Sequence, residues 1–156
     1  MKGETVQLNL LLAWLWILLG FASGMVLGMF FHGEKWLGGY ASLKRRMYRL
    51  GHISFFGLGV LNLLFFLTVQ HRSPASSLVH FASLAFIVGA MAMPLCCLVM
   101  AHFPKAHLIF AVPVVSLIAG GVLTLALLVE EPKATGTANS PAAIAINYQP
   151  STIKLP

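Results

Sequence analysis

The chain is nearly devoid of acid. Of its 156 residues only Glu4, Glu34, Glu130 and Glu131 are acidic, and aspartate does not occur. All four lie outside the long apolar runs, which argues against proton-coupled transport through a buried carboxylate. No serine, cysteine or carboxylate constellation supports hydrolysis, so the expectation is a protein with no catalytic activity of its own. Cysteine is equally scarce. The two that occur, Cys96 and Cys97, are adjacent, and neighbouring helical positions point apart and cannot readily bridge. No structural disulfide is expected, and the redox compartment is left uninformed. Charged residues make up 9% of the chain, against roughly 25% in an ordinary soluble domain.

What fills the space is hydrocarbon. The composition is 58% hydrophobic, and the mean hydropathy is +0.86. Four apolar runs cover residues 8–31, 50–69, 78–101 and 108–129. Each is close to the 20 or so residues that a helix rising about 1.5 Å per residue needs to cross a hydrocarbon core of roughly 30 Å. Backbone amides must be bonded internally in lipid, and the alternation of barrel strands is absent, so helices are the available solution. The expected fold is all-α, an integral membrane four-helix bundle over residues 1–129. The first run resembles a secretory signal in having Lys2 before it and Ala22, Ser23 and Gly24 within it. Its apolar character continues to Phe31, beyond any such cleavage point, so it is read as a retained span.

Lysine and arginine set the expected orientation. Lys35, Lys44, Arg45, Arg46 and Arg49 fall in the first loop and Lys105 in the third, whereas the other side has Lys2, Arg72, Lys133 and the distant Lys154. The positive-inside rule then places loops one and three in the cytoplasm and both termini on the outer, periplasmic side of a bacterial inner membrane. The basic cluster is explained by topology and attraction to anionic headgroups. Nucleic acid is not an expected partner despite a pI near 9.8, because no soluble basic face exists to present. Residues 130–156 contain four prolines and little that could build a core, which predicts an extended or flexible tail outside the membrane, ordered only if a neighbouring protein holds it. The first loop, with its glycines, Trp36 and Tyr40, suits an interfacial turn or a short surface helix.

Gly20, Gly24 and Gly28 recur every four residues and predict a face on the first helix that a second helix can approach closely. Gly57, Gly59, Gly120 and Gly121 could do the same or leave room for a flat cofactor. Pro94 and Pro113 are expected to bend the third and fourth helices. Met93, Cys97 and Met100 share a helical face, as do Met25 and Met29. Such soft ligands suit Cu(I), although a methionine stripe is more often packing.

The six histidines carry the sharper signal. His32, His52, His102 and His107 fall to the cytoplasmic edge, and His71 and His80 to the outer edge. His52 and His71 bound one span and stand roughly 28 Å apart along a helix, so no single ligand meets both. Each edge thus offers two imidazoles from different helices, His52 with His107 inside and His71 with His80 outside. Arg49 with Lys105, and Arg72, supply cations nearby. Imidazole is a common axial ligand of haem iron and a common ligand of copper. Paired rings with arginines to meet propionates would suit a b-type haem, whereas single histidines at a headgroup boundary are usually without function.

The order His52, His71, His80, Pro94, His107, Pro113, with the stretches "LVHFASLAFIVGAMAMP" and "KAHLIFAVPVVSLIAGGVLTLAL", resembles a small family of bacterial membrane proteins implicated in maturation of haem–copper terminal oxidases. The likeness covers about residues 45–129. It lacks that family's aromatic-rich ending on the last helix and its histidine–arginine start before His52. The resemblance implies metal or haem handling by the four histidines and an oxidase or related respiratory complex as partner. Three roles are therefore expected in turn: haem or copper binding in oxidase assembly, fixed haem ligation in a cytochrome-b-like subunit, or a cofactor-free accessory subunit filling a seam in a larger membrane complex.

Overall fold

Long runs of leucine, alanine, valine and phenylalanine leave the backbone no partner but itself in hydrocarbon, and helices satisfy that demand along the chain. The computed structural model describes residues 2–70 and 77–129. It contains four α-helices, α1 (Lys2–Phe30), α2 (Leu43–Val69), α3 (Ser77–His102) and α4 (Ala111–Val129), and no strand among the described residues. Short 3-10 turns cover Trp36–Gly38 and Pro104–Phe110. Four helical segments, the last counted from Pro104, are long and apolar enough to cross a membrane. His71, Arg72 and the tail 130–156 lie outside the described residues.

The helices outrun the hydropathy. α2 begins seven residues before the expected start at 50, because Ser42 caps it: its Oγ accepts the amide of Arg45 at 3.2 Å, and Lys44, Arg45 and Arg46 then propagate the helix as readily as leucine does. Its 27 residues span about 40 Å, roughly 10 Å more than a hydrocarbon core, so the basic first turns have room to lie beyond the apolar layer. His52 therefore does not open α2; it stands about 14 Å along it.

α3 is the centre of the assembly. α1 packs on α2 and α3, α2 packs on α3, and α4 packs on α3. One apolar cluster joins Phe65, Val69, Val79, Ala82, Phe86 and Leu127, and a second joins Trp16, Leu58 and Ala90. α1 and α4 keep most of their remaining apolar side chains exposed. The close approach of α1 to α2 falls at Gly59, where an added Cβ would stand 3.0 Å from the Ala13 carbonyl oxygen. On α1, by contrast, Gly20 and Gly24 receive ring side chains: a Cβ at Gly20 would meet Phe56 at 2.8 Å and one at Gly24 would meet His52 at 2.7 Å, whereas Gly28 faces open space. The glycine face seats two aromatic rings of α2 instead of a backbone.

Both prolines are accommodated through the carbonyls they leave free. α3 runs through Pro94, whose missing amide would have bonded the Ala90 carbonyl; the Trp16 indole of α1 donates to that oxygen at 3.0 Å instead. Pro113 falls in the first turn of α4, where an amide has no intrahelical partner to lose, so the bend expected there is not required. The carbonyl four residues earlier, Ile109, accepts from Cys96 Sγ at 3.4 Å.

Loop one is closed by a buried cation. Arg45 has no exposed surface, and its guanidinium carbon lies 3.8 Å from the Tyr40 ring centroid, 4.5 Å from that of Phe31 and 5.7 Å from that of Trp36. Its Nη2 donates to the Phe31 carbonyl at 2.7 Å and Nη1 to that of Gly33 at 3.4 Å. The chain reverses through Gly38 and Gly39 at φ of 85° and 88°, angles that glycine alone adopts freely, and this brings Tyr40 back over Arg45. Arg45 Nε is the one buried side-chain polar atom without a partner among the described residues.

Candidate functional site: an imidazole in an apolar cavity

Between α1, α2 and α3, toward the loop-one end, lies a half-open cavity of about 400 Å³. Leu19, Ala22, Ser23, Val26 and Leu27 of α1, Tyr48, Gly51, His52 and Phe55 of α2, and Pro94 and Leu98 of α3 line it. The small residues make the space: Ala22 and Gly51 contribute almost no volume, and Gly24 lets the Cε1 edge of the His52 ring come close to α1. Apart from Ser23, Tyr48 and His52 the lining is hydrocarbon.

Ser23 Oγ lies 3.1 Å from the Gly20 carbonyl and 3.0 Å from His52 Nδ1; with its one proton placed on the Gly20 carbonyl, it accepts from the ring. In the neutral imidazole Nδ1 then carries the proton and Nε2 the lone pair. Among the described residues Nε2 has no hydrogen-bond partner. Phe56 meets the ring edge-on at 5.6 Å and completes its seat. A hydroxyl that orients one nitrogen while the other stays available is the arrangement that metal-ligating histidines have.

His107 does not share this cavity. It is exposed on the 3-10 turn Pro104–Phe110, and Arg49, one turn before His52, is half-buried without lining the cavity. His80 sits at the other end of the bundle, where Thr5 Oγ1 lies 3.4 Å from its Nδ1; its expected partner His71, with Arg72, is outside the described residues. Of the methionine and cysteine positions weighed for copper, Met25 and Met29 are exposed, and the Cys97 side chain lies against Gly51. No three side chains among histidine, cysteine, aspartate and glutamate gather as a ligand set among the described residues.

A polar cluster that the sequence reading missed lies near His80. Asn9 Nδ2 donates to Asn62 Oδ1 at 2.8 Å, Asn62 Nδ2 donates to the Leu58 carbonyl at 2.8 Å, and Ser83 Oγ stands within reach of two acceptors, Asn9 Oδ1 and the Thr5 carbonyl, between which its one proton is shared. Asn9, Asn62 and Ser83 are fully buried and come from α1, α2 and α3. A signal existed: a lone asparagine inside an apolar span is costly unless another helix answers it. No family model, no characterised protein and no solved structure matches this chain.

Proposed function

We propose that this chain is a multi-pass protein of the bacterial inner membrane, with both termini on the outer side, in which His52 holds haem b for the assembly of, or electron transfer in, a respiratory complex. The observation that supports the reading is the unbonded Nε2 of His52 in a cavity of about 400 Å³, a volume within the roughly 300–1,000 Å³ of small-molecule and cofactor sites. Haem b is a flat apolar macrocycle with a metal centre and two propionates: the hydrocarbon lining suits the macrocycle and one imidazole nitrogen the metal, while the lining holds no cation for the propionates, which would have to reach its open side. Bound there, haem would supply a one-electron redox centre. The chain's own contribution is separable from that chemistry: Ser23 orients the ring, Gly24 and Phe56 seat it, and Leu19, Val26 and Leu98 give the cavity apolar walls. Ligation through His52 alone replaces the expected pairing with His107 in this reading.

The test is a reduced-minus-oxidised visible spectrum of the full chain purified in mild detergent from haem-replete cells. The expected result is a Soret and α band that His52→Ala abolishes and His107→Ala retains. A colourless protein, or bands that survive His52→Ala, overturns the reading; copper in metal analysis would point to the softer ligands instead. A second reading, a cofactor-free accessory subunit, is favoured by the apolar side chains that α1 and α4 leave exposed. Copurification of other subunits with a colourless, metal-free chain would support it.

A further inference from the structure

Along the α2–α3 seam, beyond the His52 cavity, a second cavity of about 530 Å³ opens where loop one folds back, α2 begins and α3 ends. Tyr48 lines the first cavity and His102 the second, and their rings meet edge-on at 6.4 Å, so the two spaces are neighbours separated by this pair. We propose that this second cavity is a site for the headgroup of one anionic phospholipid, distinct from the diffuse attraction of a basic loop for a charged surface.

The chemistry of the lining supports one negative charge. Lys44 and His102 line the cavity and no carboxylate does. His102 Nδ1 lies 3.1 Å from the Leu98 carbonyl, an oxygen that only accepts, so Nδ1 carries a proton and Nε2 remains for a ligand. Protonation at Nε2 would make it a second donor beside the Lys44 ammonium. Ser42 is already spent, donating to the Leu37 carbonyl at 2.6 Å and accepting the Arg45 amide, and Arg45 is committed to its aromatic cage. The cation that lines this cavity is therefore Lys44, with His102 beside it. Leu37, Leu43, Ala101 and Pro104 supply the remaining lining, which would stand against the water shell of a free inorganic anion but suits the glycerol and first methylenes of a lipid. The site lies at the end of the apolar stretches of α2 and α3, the depth at which a phosphate meets hydrocarbon. It does not depend on what occupies the His52 cavity.

Native mass spectrometry of the full chain in detergent, with phosphatidylglycerol and phosphatidylcholine at equal mole fraction, tests this. The expected result is a first bound lipid that is phosphatidylglycerol by roughly fivefold or more, the scale of one well-placed cation near a membrane surface. Lys44→Gln with His102→Gln should reduce that preference to less than about twofold, while Arg46→Gln, an exposed cation on the same helix, and Lys44→Arg should leave it in place. Equal loss with Arg46→Gln would reduce the effect to diffuse attraction and overturn the proposal. So would displacement of the lipid by millimolar inorganic phosphate, or equal retention of phosphatidylcholine. Circular dichroism matching the unsubstituted chain confirms that each variant is folded.

Discussion

The two ends of the bundle use the same pair of groups to opposite effect. Each brings a histidine against a hydroxyl of α1, His80 against Thr5 and His52 against Ser23. At the Thr5 end the Thr5 carbonyl is bonded by Ser83, one of a cluster in which Asn9, Asn62 and Ser83 answer one another across three helices. At the Ser23 end the hydroxyl bonds the Gly20 carbonyl of its own helix and the His52 imidazole, and beside them lies an open cavity. Satisfied polar groups in a low-dielectric interior rigidify; a half-satisfied one beside empty volume is held ready for something else. The closed end holds α1, α2 and α3 together, so the open end need not.

The sharpest way to break this contrast is to remove the closed end. Asn62→Leu keeps the branched shape of the side chain but removes the 2.8 Å acceptor of the Asn9 amide and leaves it only the Ser83 carbonyl at 3.5 Å, so the bundle should lose on the order of 2–3 kcal/mol. Equilibrium unfolding in detergent, followed by circular dichroism, reads this out. A loss below about 0.5 kcal/mol, the range of an inert surface substitution, would show that the cluster is an ornament of the packing and not its clamp.

Between the two ends lies the Trp16 bond to Ala90, where the interior of α3 borders the cavity through Pro94. Trp16→Phe retains an aromatic body against Phe55 and Leu58 but leaves the Ala90 carbonyl with neither the amide that Pro94 lacks nor the indole that replaced it. The expected cost is about 1–2 kcal/mol in the same unfolding measurement. The double variant Trp16→Phe with Pro94→Ala should recover part of it, because alanine restores the amide that bonds residue 90. Absence of any recovery would mean that the indole serves packing alone.

The four helices were legible because hydrocarbon runs of spanning length admit no other backbone solution, and the basic first loop was legible as charge. Their ends were not. Hydropathy marks where a helix meets lipid and says nothing of Ser42, which starts α2 in polar sequence. Rotation was equally hidden: spacing placed His52 and His107 at one edge, but the turn at Pro104–Phe110 leaves His107 exposed and Ser23, noted in the sequence only as a small residue of α1, as the neighbour of His52. Arg45 read as one of several topology charges, whereas the glycine turn at Gly38 and Gly39 folds three rings around it. Contacts made by single residues from different helices are set by packing angles that no one segment encodes.

Ser23→Ala should be the mildest change to stability and the most informative about the open end. Removing the hydroxyl deletes one interhelical hydrogen bond at a partly buried site, where bonds of this kind in membrane proteins average about 0.6 kcal/mol. The fold should therefore be nearly indifferent. The ring should not be: without Ser23 against Nδ1, the imidazole is free to change tautomer and to rotate away from Gly24, so Nε2 is no longer held as the free nitrogen. Loss of such an orienting partner typically weakens a histidine-held ligand by roughly 10- to 100-fold, and haem titration into the apoprotein should show a shift in that range while the unfolding curve stays within about 1 kcal/mol. Ser23→Thr, which keeps the acceptor, should restore the affinity. A variant that loses stability and affinity together would place Ser23 in the packing, and the division between a closed end that holds and an open end that binds would fail at the residue that defines it.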